Sequence, residues 1–516
     1  MVVASSNAQA KNISTQEVKA RTIHNAGGVR VQGFRNELLR PGQKQNNLTK
    51  VWNCVRVLVI EEVSMVPASW YNMLDVRSMH GRSKTHDVYE TTYKRPHHHF
   101  GRIPIVIHLG DFLQLTPTAN ISLIEDVNAR NEDGSYKYPE PPSVEVQHAI
   151  KVFGSIQHVF ELRGTKRFKA GDPLVDFLGC MRKGQRFPEH IWRAFEKTMA
   201  SDRNGVLDPR HRTAKFALGY GLSMYWETLS RWISHRSRRD ARELGLPLVF
   251  LQAVDECNTI DRSAAQRLLN IPNMHNTGHI HGVLPAHVGM RVRIAVKVNS
   301  TLGLVQEQRA TIVDFVFKEE DRARYNRCGP GTIFRPKYLP AGIWLQVDDF
   351  CDSPLHEELL PFLDDECCSC CHAVAKRRAK GLHLYSPIET EFTWRSSETH
   401  TIKRTGFALT HEKFLTSTAS QGQTIRTGVT IDCARQLPAG KVGMKEDQWW
   451  LHLYVMFSRA TSMTDMLLLR PPPRALLEAG PPRSVRAALA RFEERIAAST
   501  DAAASLAGRF GIVVPA

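Results

Sequence analysis

Arg56-Val57-Leu58-Val59-Ile60-Glu61-Glu62-Val63-Ser64-Met65 is the stretch on which the fold turns. Its run of branched apolar residues, apolar on both faces, predicts a strand buried in a parallel sheet. The run stops abruptly at two carboxylates. Ligands of such sheets sit just beyond the carboxyl ends of the strands, which is where Glu61 and Glu62 fall. An acidic residue there can hold Mg²⁺ while its neighbour orients an attacking water. By itself the pair is equally consistent with two solvated glutamates at a strand end.

A second stretch shifts the balance. Ile103-Pro104-Ile105-Val106-Ile107-His108-Leu109-Gly110-Asp111-Phe112-Leu113-Gln114-Leu115-Thr116-Pro117 predicts another buried strand that again ends in polar residues. Gln114 is placed to bond a terminal phosphate or the attacking water. Together the two stretches resemble motifs II and III of superfamily-one helicases, most closely the PIF/RecD type. That family reads roughly IIDEASM and then GDFxQLPP. The order is the same here, with a longer gap between them.

The chain has 516 residues, enough for two to four domains and an ample core. Hydrophobic residues make up 42%, a globular composition, and a net charge of +16 points to a polyanionic partner. No apolar run reaches the roughly 18 residues of a membrane span. The start, Met1-Val2-Val3-Ala4-Ser5-Ser6, lacks the pattern of a secretory signal. Ten cysteines, mostly scattered, suit a reducing compartment rather than a disulfide scaffold. The basic charge suits a nuclear address, with a mitochondrial one as the alternative.

The resemblance continues along the chain. Val2 to Ala10, with Thr22-Ile23-His24 following, is similar to the family's motif Ia, which contacts single-stranded DNA there. That implies Ser6, Asn7 and His24 as strand contacts. The family places a glycine-rich phosphate loop before motif Ia. The only Gly-Lys pair here is Gly440-Lys441, followed by Val442 rather than Ser or Thr. The loop that wraps a β-phosphate in backbone N–H groups is therefore expected to be missing. A truncated chain is the first explanation and a degenerate protein the second.

Val159-Phe160-Glu161-Leu162-Arg163-Gly164-Thr165-Lys166-Arg167-Phe168, with Asp172-Pro173 and Met181-Arg182-Lys183-Gly184 downstream, resembles motif IV. Arg167 matches the arginine that reaches the γ-phosphate, where a guanidinium fork suits the charge. Leu248-Val249-Phe250-Leu251 resembles the opening strand of the second lobe. Phe414 to Ile425 resembles motif V, AxTIHKSQGxT. Thr416, Ser420, Gln421, Gly422 and Thr424 match, and Thr418-Ala419 replaces the family's His-Lys. Leu453-Tyr454-Val455-Met456-Phe457-Ser458-Arg459 resembles motif VI and places a second arginine, Arg459, toward the γ-phosphate. By itself that last stretch is an amphipathic helix with one arginine; the ordered series is what singles it out.

Three segments fall outside the series. Residues 76–102 carry Arg77, Arg82, Lys84 and His97-His98-His99, and read as a basic surface insertion. Three adjacent histidines are a weak metal motif because adjacent side chains diverge. Cys367, Cys370, Cys371 and His372 are a second metal candidate, for zinc. Structural zinc sites use two separated ligand pairs, though, and only Cys351 and His356 lie near. An exposed cysteine-rich loop is the stronger reading. Val485, Leu489, Phe492 and Ile496 are spaced as one face of a helix, expected to dock on the core.

The resemblance implies an α/β fold of two RecA-like P-loop NTPase lobes, the first N-terminally truncated, with a small inserted β-barrel. It divides the chain into a first lobe (1–160), a second (161–283 and 401–470), the barrel (284–400), and a proline-rich linker with a terminal helix (471–516). It implies ATP and Mg²⁺ as cofactors. Glu62, Gln114, Arg167 and Arg459 would be catalytic. Glu61, Asp111, Gln421 and Gly422 would hold the nucleotide, with Glu61 on the metal. Ser6, Asn7, His24, Thr416 and Ser420 would hold single-stranded DNA. The implied partners are single-stranded and forked DNA, with no membrane, and the implied state is a monomer. A catalytically silent nucleic-acid-binding protein is the alternative function.

Overall fold

The computed structural model describes residues 1–6, 9–10, 13–15, 17–29, 43–86, 99–117, 120–126, 140–162, 166–201, 208–257, 261–298, 304–348, 382–395, 398–435 and 444–509. Four strands form a parallel sheet in the amino-terminal part: β1 (Val2–Ala4), β2 (Arg21–Thr22), β3 (Val57–Ile60) and β4 (Ile105–His108), in the order β2-β1-β3-β4. β3 is an inner strand, as its two-sided apolar run dictates, and Leu58 and Ile60 are fully buried. The chain start is woven into it: the Met1 ammonium donates to Val57 O at 2.7 Å and Val59 N donates back to Met1 O at 2.9 Å.

β4 departs from the expectation of a buried strand. Ile105 is 51% and Ile107 40% exposed, because β4 is the edge of its sheet and no described strand lies on its outer side. The 76–102 insertion also departs from expectation. The helix Ala68–His86 runs through its first part, and Arg77 and Arg82 are buried rather than solvated. Arg82 donates to Gly101 O at 2.6 Å, Val55 O at 2.8 Å and Trp52 O at 3.2 Å. It satisfies loop carbonyls that would otherwise be buried without partners. Residues 87–98, which include His97 and His98, lie outside the described residues.

The second parallel sheet is assembled from distant segments: Phe414–Thr416, Tyr220–Ser223, Val429–Asp432 and Met466–Leu469, in that spatial order. Tyr220–Ser223 went unread in the sequence because glycine and serine dilute its apolar signal. Gly221 is required by packing: a Cβ there would lie 2.6 Å from the Phe414 ring and 2.8 Å from Trp232. Leu248–Gln252, expected to open this lobe, pairs instead with Val283–Ala286 and Ile333–Phe334 in a separate three-stranded sheet.

An antiparallel sheet follows, in the order Leu382–Tyr385, Gly342–Val347, Arg309–Val316, Arg291–Ile294, Leu409–His411. Its core of Val292, Ile294, Ile312, Phe315, Ile343 and Leu345 is separate from that of the parallel sheets. Where a closed barrel was expected, the described ladders form an open sheet. The cysteine cluster Cys367, Cys370, Cys371 and His372 lies outside the described residues. The hairpin Ile388–Arg395 and Thr399–Gly406 is tied to Val254–Glu256 by Arg404, which grips Asp255 with both arms at 2.6 and 2.7 Å.

The terminal helix Arg483–Arg509 docks by the expected face. Phe492 stacks on Phe112 with ring centroids 5.5 Å apart, and Val485 is buried in the same core. Arg495 donates to Gly154 O and Ile156 O, both at 2.9 Å. It thereby caps the carboxyl end of the helix Val144–Gly154, whose last carbonyls lack helical partners. Among the described residues no helix is long and apolar enough to cross a membrane.

Candidate active site

The crevice between the two parallel sheets is built from their carboxyl ends. β3 delivers Glu61, whose N–H is held by Val3 O at 2.9 Å, and then turns sharply. Glu62 takes the turn in the left-handed region, with φ 51°, an uncommon conformation for a residue with a Cβ. β4 delivers Asp111, which accepts from Leu113 N at 3.1 Å, and Gln114, whose N–H is held by Asp111 O at 3.0 Å.

The other wall comes from the second sheet. Thr416 caps the short helix Ser417–Ser420, accepting from Ala419 N at 3.1 Å, and Gln421 and Gly422 follow. Gly422 has φ +76°, which favours glycine, and a Cβ on it would stand 3.9 Å from Glu62 Oε1. Arg167 donates to Thr424 Oγ1 at 3.2 Å and Ser458 O at 3.0 Å, so it joins the two segments read as motifs V and VI. Arg459 closes the helix Glu446–Phe457 and is 1% exposed. It donates to Val455 O at 2.9 Å, Ser458 Oγ at 2.7 Å and Gln423 O at 3.3 Å.

The electrostatics tie the walls together. Burial raises the Glu62 carboxyl, Glu61 and Asp111 raise it further, and Arg459 and Arg167 oppose them. Burial and the neighbouring Arg167 bring Arg459 down to about 9, against the pull of Glu62, Tyr454 and Asp111. It still carries its charge at neutral pH. Glu61 is raised by burial alone. Arg182 was not singled out in the sequence, although it stands inside the motif IV match. It lies 3.8 Å from Glu161 Oε1 on its own side and 3.5 Å from Asp111 Oδ1, which makes it a further cation facing the carboxylates. Tyr454 is pushed up to about 12, first by burial and then by Asp111.

Several polar atoms of this group are buried without a protein partner: Glu62 Oε2, Gln114 Oε1, and both amide atoms of Gln421. Buried polar atoms in folded proteins are almost always paired, so an orphaned set drawn from both walls marks a place for a polar ligand. Three carboxylates, three guanidinium groups and two carboxamides suit a polyphosphate with a divalent cation. Glu61, Glu62 and Asp111 are the oxygen donors such an ion requires.

The candidate strand contacts are not gathered in the same way. His24 is buried, edge-on to Trp70 at 4.2 Å, and burial lowers its pKa. Ser420 is fully buried with its hydroxyl on Ser417 O at 2.8 Å. Neither side chain is presented to a passing strand, because each is spent on the interior. Ser6 is half-buried, its Oγ accepting from Gln9 N at 3.2 Å, and Thr416 is half-buried as a cap. Asn7 lies outside the described residues.

No family model matches this chain, and no curated protein matches it. Solved structures do. A Pif1 helicase from Bacteroides in complex with ADP-AlF3 and single-stranded DNA superposes with a TM-score of 0.52 at 14% identity, covering 96% of this chain and 87% of that one. Bacteroides Pif1 bound to single-stranded DNA gives 0.51 at 14% identity, covering 96% and 86%. A structure of two Pif1 helicases at forked double-stranded DNA gives 0.50 at 14%, again covering 96% and 86%. The protein has the fold of these Pif1 structures, with mixed α/β architecture and two RecA-like lobes.

Proposed function

We propose that this protein is a helicase-type ATPase of the PIF kind, which binds ATP between its lobes and single-stranded or forked DNA across them. The observation that carries the proposal is the meeting of Glu62 and Asp111 from one lobe with Arg167 and Arg459 from the other, with Gly422 beside Glu62 and with buried polar atoms of Glu62, Gln114 and Gln421 that lack partners. The solved Pif1 structures with ADP-AlF3 and with DNA support the same ligand classes.

In this reading Glu61 would hold Mg²⁺, which would neutralise phosphate charge. Glu62, raised by burial, is suited to accept a proton from an attacking water. Gln114 and Gln421 orient that water and the terminal phosphate through their unpartnered amide atoms. Arg167 and Arg459 stabilise charge developing on the phosphate; internal bonds consume three of the five N–H donors of Arg459, leaving about two for it. Opening and closing of the crevice would step the lobes along a strand, in the 5′ to 3′ sense by family resemblance. Glu61 is one methylene longer than the family's Asp, which would weaken its grip on such an ion.

The 516 residues contain no Gly-x4-Gly-Lys-Ser/Thr, so these residues alone are expected to turn ATP over slowly or not at all. That favours a second reading, a silent nucleic-acid binder, for the chain in isolation. Hydrolysis stimulated by single-stranded DNA, measured with and without a strand and glycine loop fused before Met1, separates the two. We expect little turnover from the chain alone, a gain on fusion, and a loss of about 10²–10³-fold in the fusion carrying Arg459→Ala. Robust turnover without the loop, or indifference to Arg459→Ala, would overturn the proposal.

A further inference from the structure

Outside the crevice, the described residues bring three metal-ligating side chains to one point in the first lobe. Asp75 comes from the helix Ala68–His86, His99 from the turn His99–Arg102, and His148 from the helix Val144–Gly154. One ligand atom from each lies within 4.8 Å of the others. The Asp75 side chain is 1% exposed, and those of His99 and His148 are 23% and 16% exposed.

The distances distinguish a metal cage from a hydrogen-bonded triad. Asp75 Oδ1 is used by the Phe100 N–H. Asp75 Oδ2 faces His99 Nδ1 and His148 Nε2, and both stop 3.5 Å away. An N–H···O⁻ bond between charged groups closes to about 2.7–2.9 Å, so both contacts are too long. Oδ2 accordingly has only these two long contacts with the imidazoles, although it is buried. Zinc bonds to nitrogen and oxygen are about 2.0–2.1 Å, which puts neighbouring ligand atoms of a tetrahedron about 3.3–3.4 Å apart. The two carboxylate–imidazole separations are close to that edge, and the three ligand atoms all lie within 4.8 Å of one another. A buried carboxylate oxygen aimed at two imidazole nitrogens at this spacing is an arrangement that a cation would satisfy and that solvent, excluded from Asp75, would not.

We propose that Asp75, His99 and His148 form a zinc site, with water in the fourth position on the side where the imidazoles reach solvent. Two imidazoles and a carboxylate suit Zn²⁺ over Mg²⁺ or Ca²⁺, which favour all-oxygen sets. The metal would join two helices and the turn that leads into β4, and so hold the strand that delivers Asp111 and Gln114 to the crevice. Its role is structural and independent of ATP.

The test is metal uptake by the full chain carrying Cys367→Ser, Cys370→Ser and Cys371→Ser, which removes the thiols as competing ligands. After chelation and dialysis, the chain is titrated with Zn²⁺ against a fluorescent chelator, and separately with Co²⁺, whose visible absorption reports coordination. We expect about one equivalent of Zn²⁺ per chain, a tetrahedral Co²⁺ spectrum without thiolate charge transfer, and a rise in melting temperature on loading. His99→Gln and His148→Gln should each weaken uptake at least 10-fold while the far-ultraviolet circular dichroism is unchanged. No uptake by the serine-substituted chain overturns the proposal, and so does uptake that both histidine variants retain. A parent chain that takes up no Zn²⁺ decides against the proposal even if a variant fails to fold.

Discussion

Glu62 shows how a single position carries two demands. It ends a buried strand, where the backbone must turn, and it must also present a carboxylate to the opposite lobe. The left-handed backbone at φ 51° meets both, at a cost of about 1–3 kcal/mol that the surrounding core holds in place. Other buried groups are held in a fixed protonation state. His108, His281 and His452 are each brought down to about 4 by burial, with Arg404 adding to the effect at His281. Unfolded histidine titrates near 6.5, so as pH falls the unfolded chain takes up protons first. Stability from these neutral rings is complete above about pH 6.5 and is lost as pH falls toward 4, on the order of 3 kcal/mol for each ring. Denaturant midpoints should therefore fall between pH 7 and 4.5, and His281→Gln should flatten part of that slope. A midpoint independent of pH over this range would contradict the burial of these rings.

Among the elements, the legible ones are those whose local pattern agrees with their tertiary surroundings. Val57–Ile60 is apolar on both faces and lies inside its sheet. Val485, Leu489 and Phe492 form one helical stripe and are the residues that dock. Ile105–His108 has an equally apolar pattern but lies at an edge, because strand order is set by long-range pairing that no local window contains. Tyr220–Ser223 is an inner strand whose glycine answers to Phe414, almost two hundred positions away. Arg82 and Arg77 carry charge, which reads as surface, yet loop carbonyls absorb the guanidinium of Arg82 in the interior. The crevice residues Glu62, Gln114, Arg167, Gln421 and Arg459 were legible through the order of the motifs. Arg182 was not, since its meaning lies in its contact with Asp111 across the crevice. One element-scale contact is open to a direct test. Arg404, fully buried, pairs with Asp255 and holds the hairpin Ile388–Arg395/Thr399–Gly406 to Val254–Glu256. Asp255→Ala leaves that guanidinium buried and uncompensated, so a loss of about 3–5 kcal/mol is expected in urea unfolding. A loss within about 0.5 kcal/mol, as for an exposed pair, would show that the hairpin is held otherwise.

At the scale of the molecule, everything depends on two parallel sheets, each interrupted by long excursions of the chain, presenting their carboxyl ends to one another. The terminal helix packs Phe492 against Phe112 and Phe153 of the amino-terminal part. At the crevice, Glu62 and Asp111 of one wall face Arg167 and Arg459 of the other. A double-mutant cycle on stability tests this arrangement without any assumption about turnover. Glu62→Gln and Arg459→Gln, singly and together, should show a coupling of about 1 kcal/mol or more, because the two groups lie far apart in sequence and meet only if the lobes are disposed as described. Additivity to within about 0.3–0.5 kcal/mol would mean that the two side chains do not share a crevice.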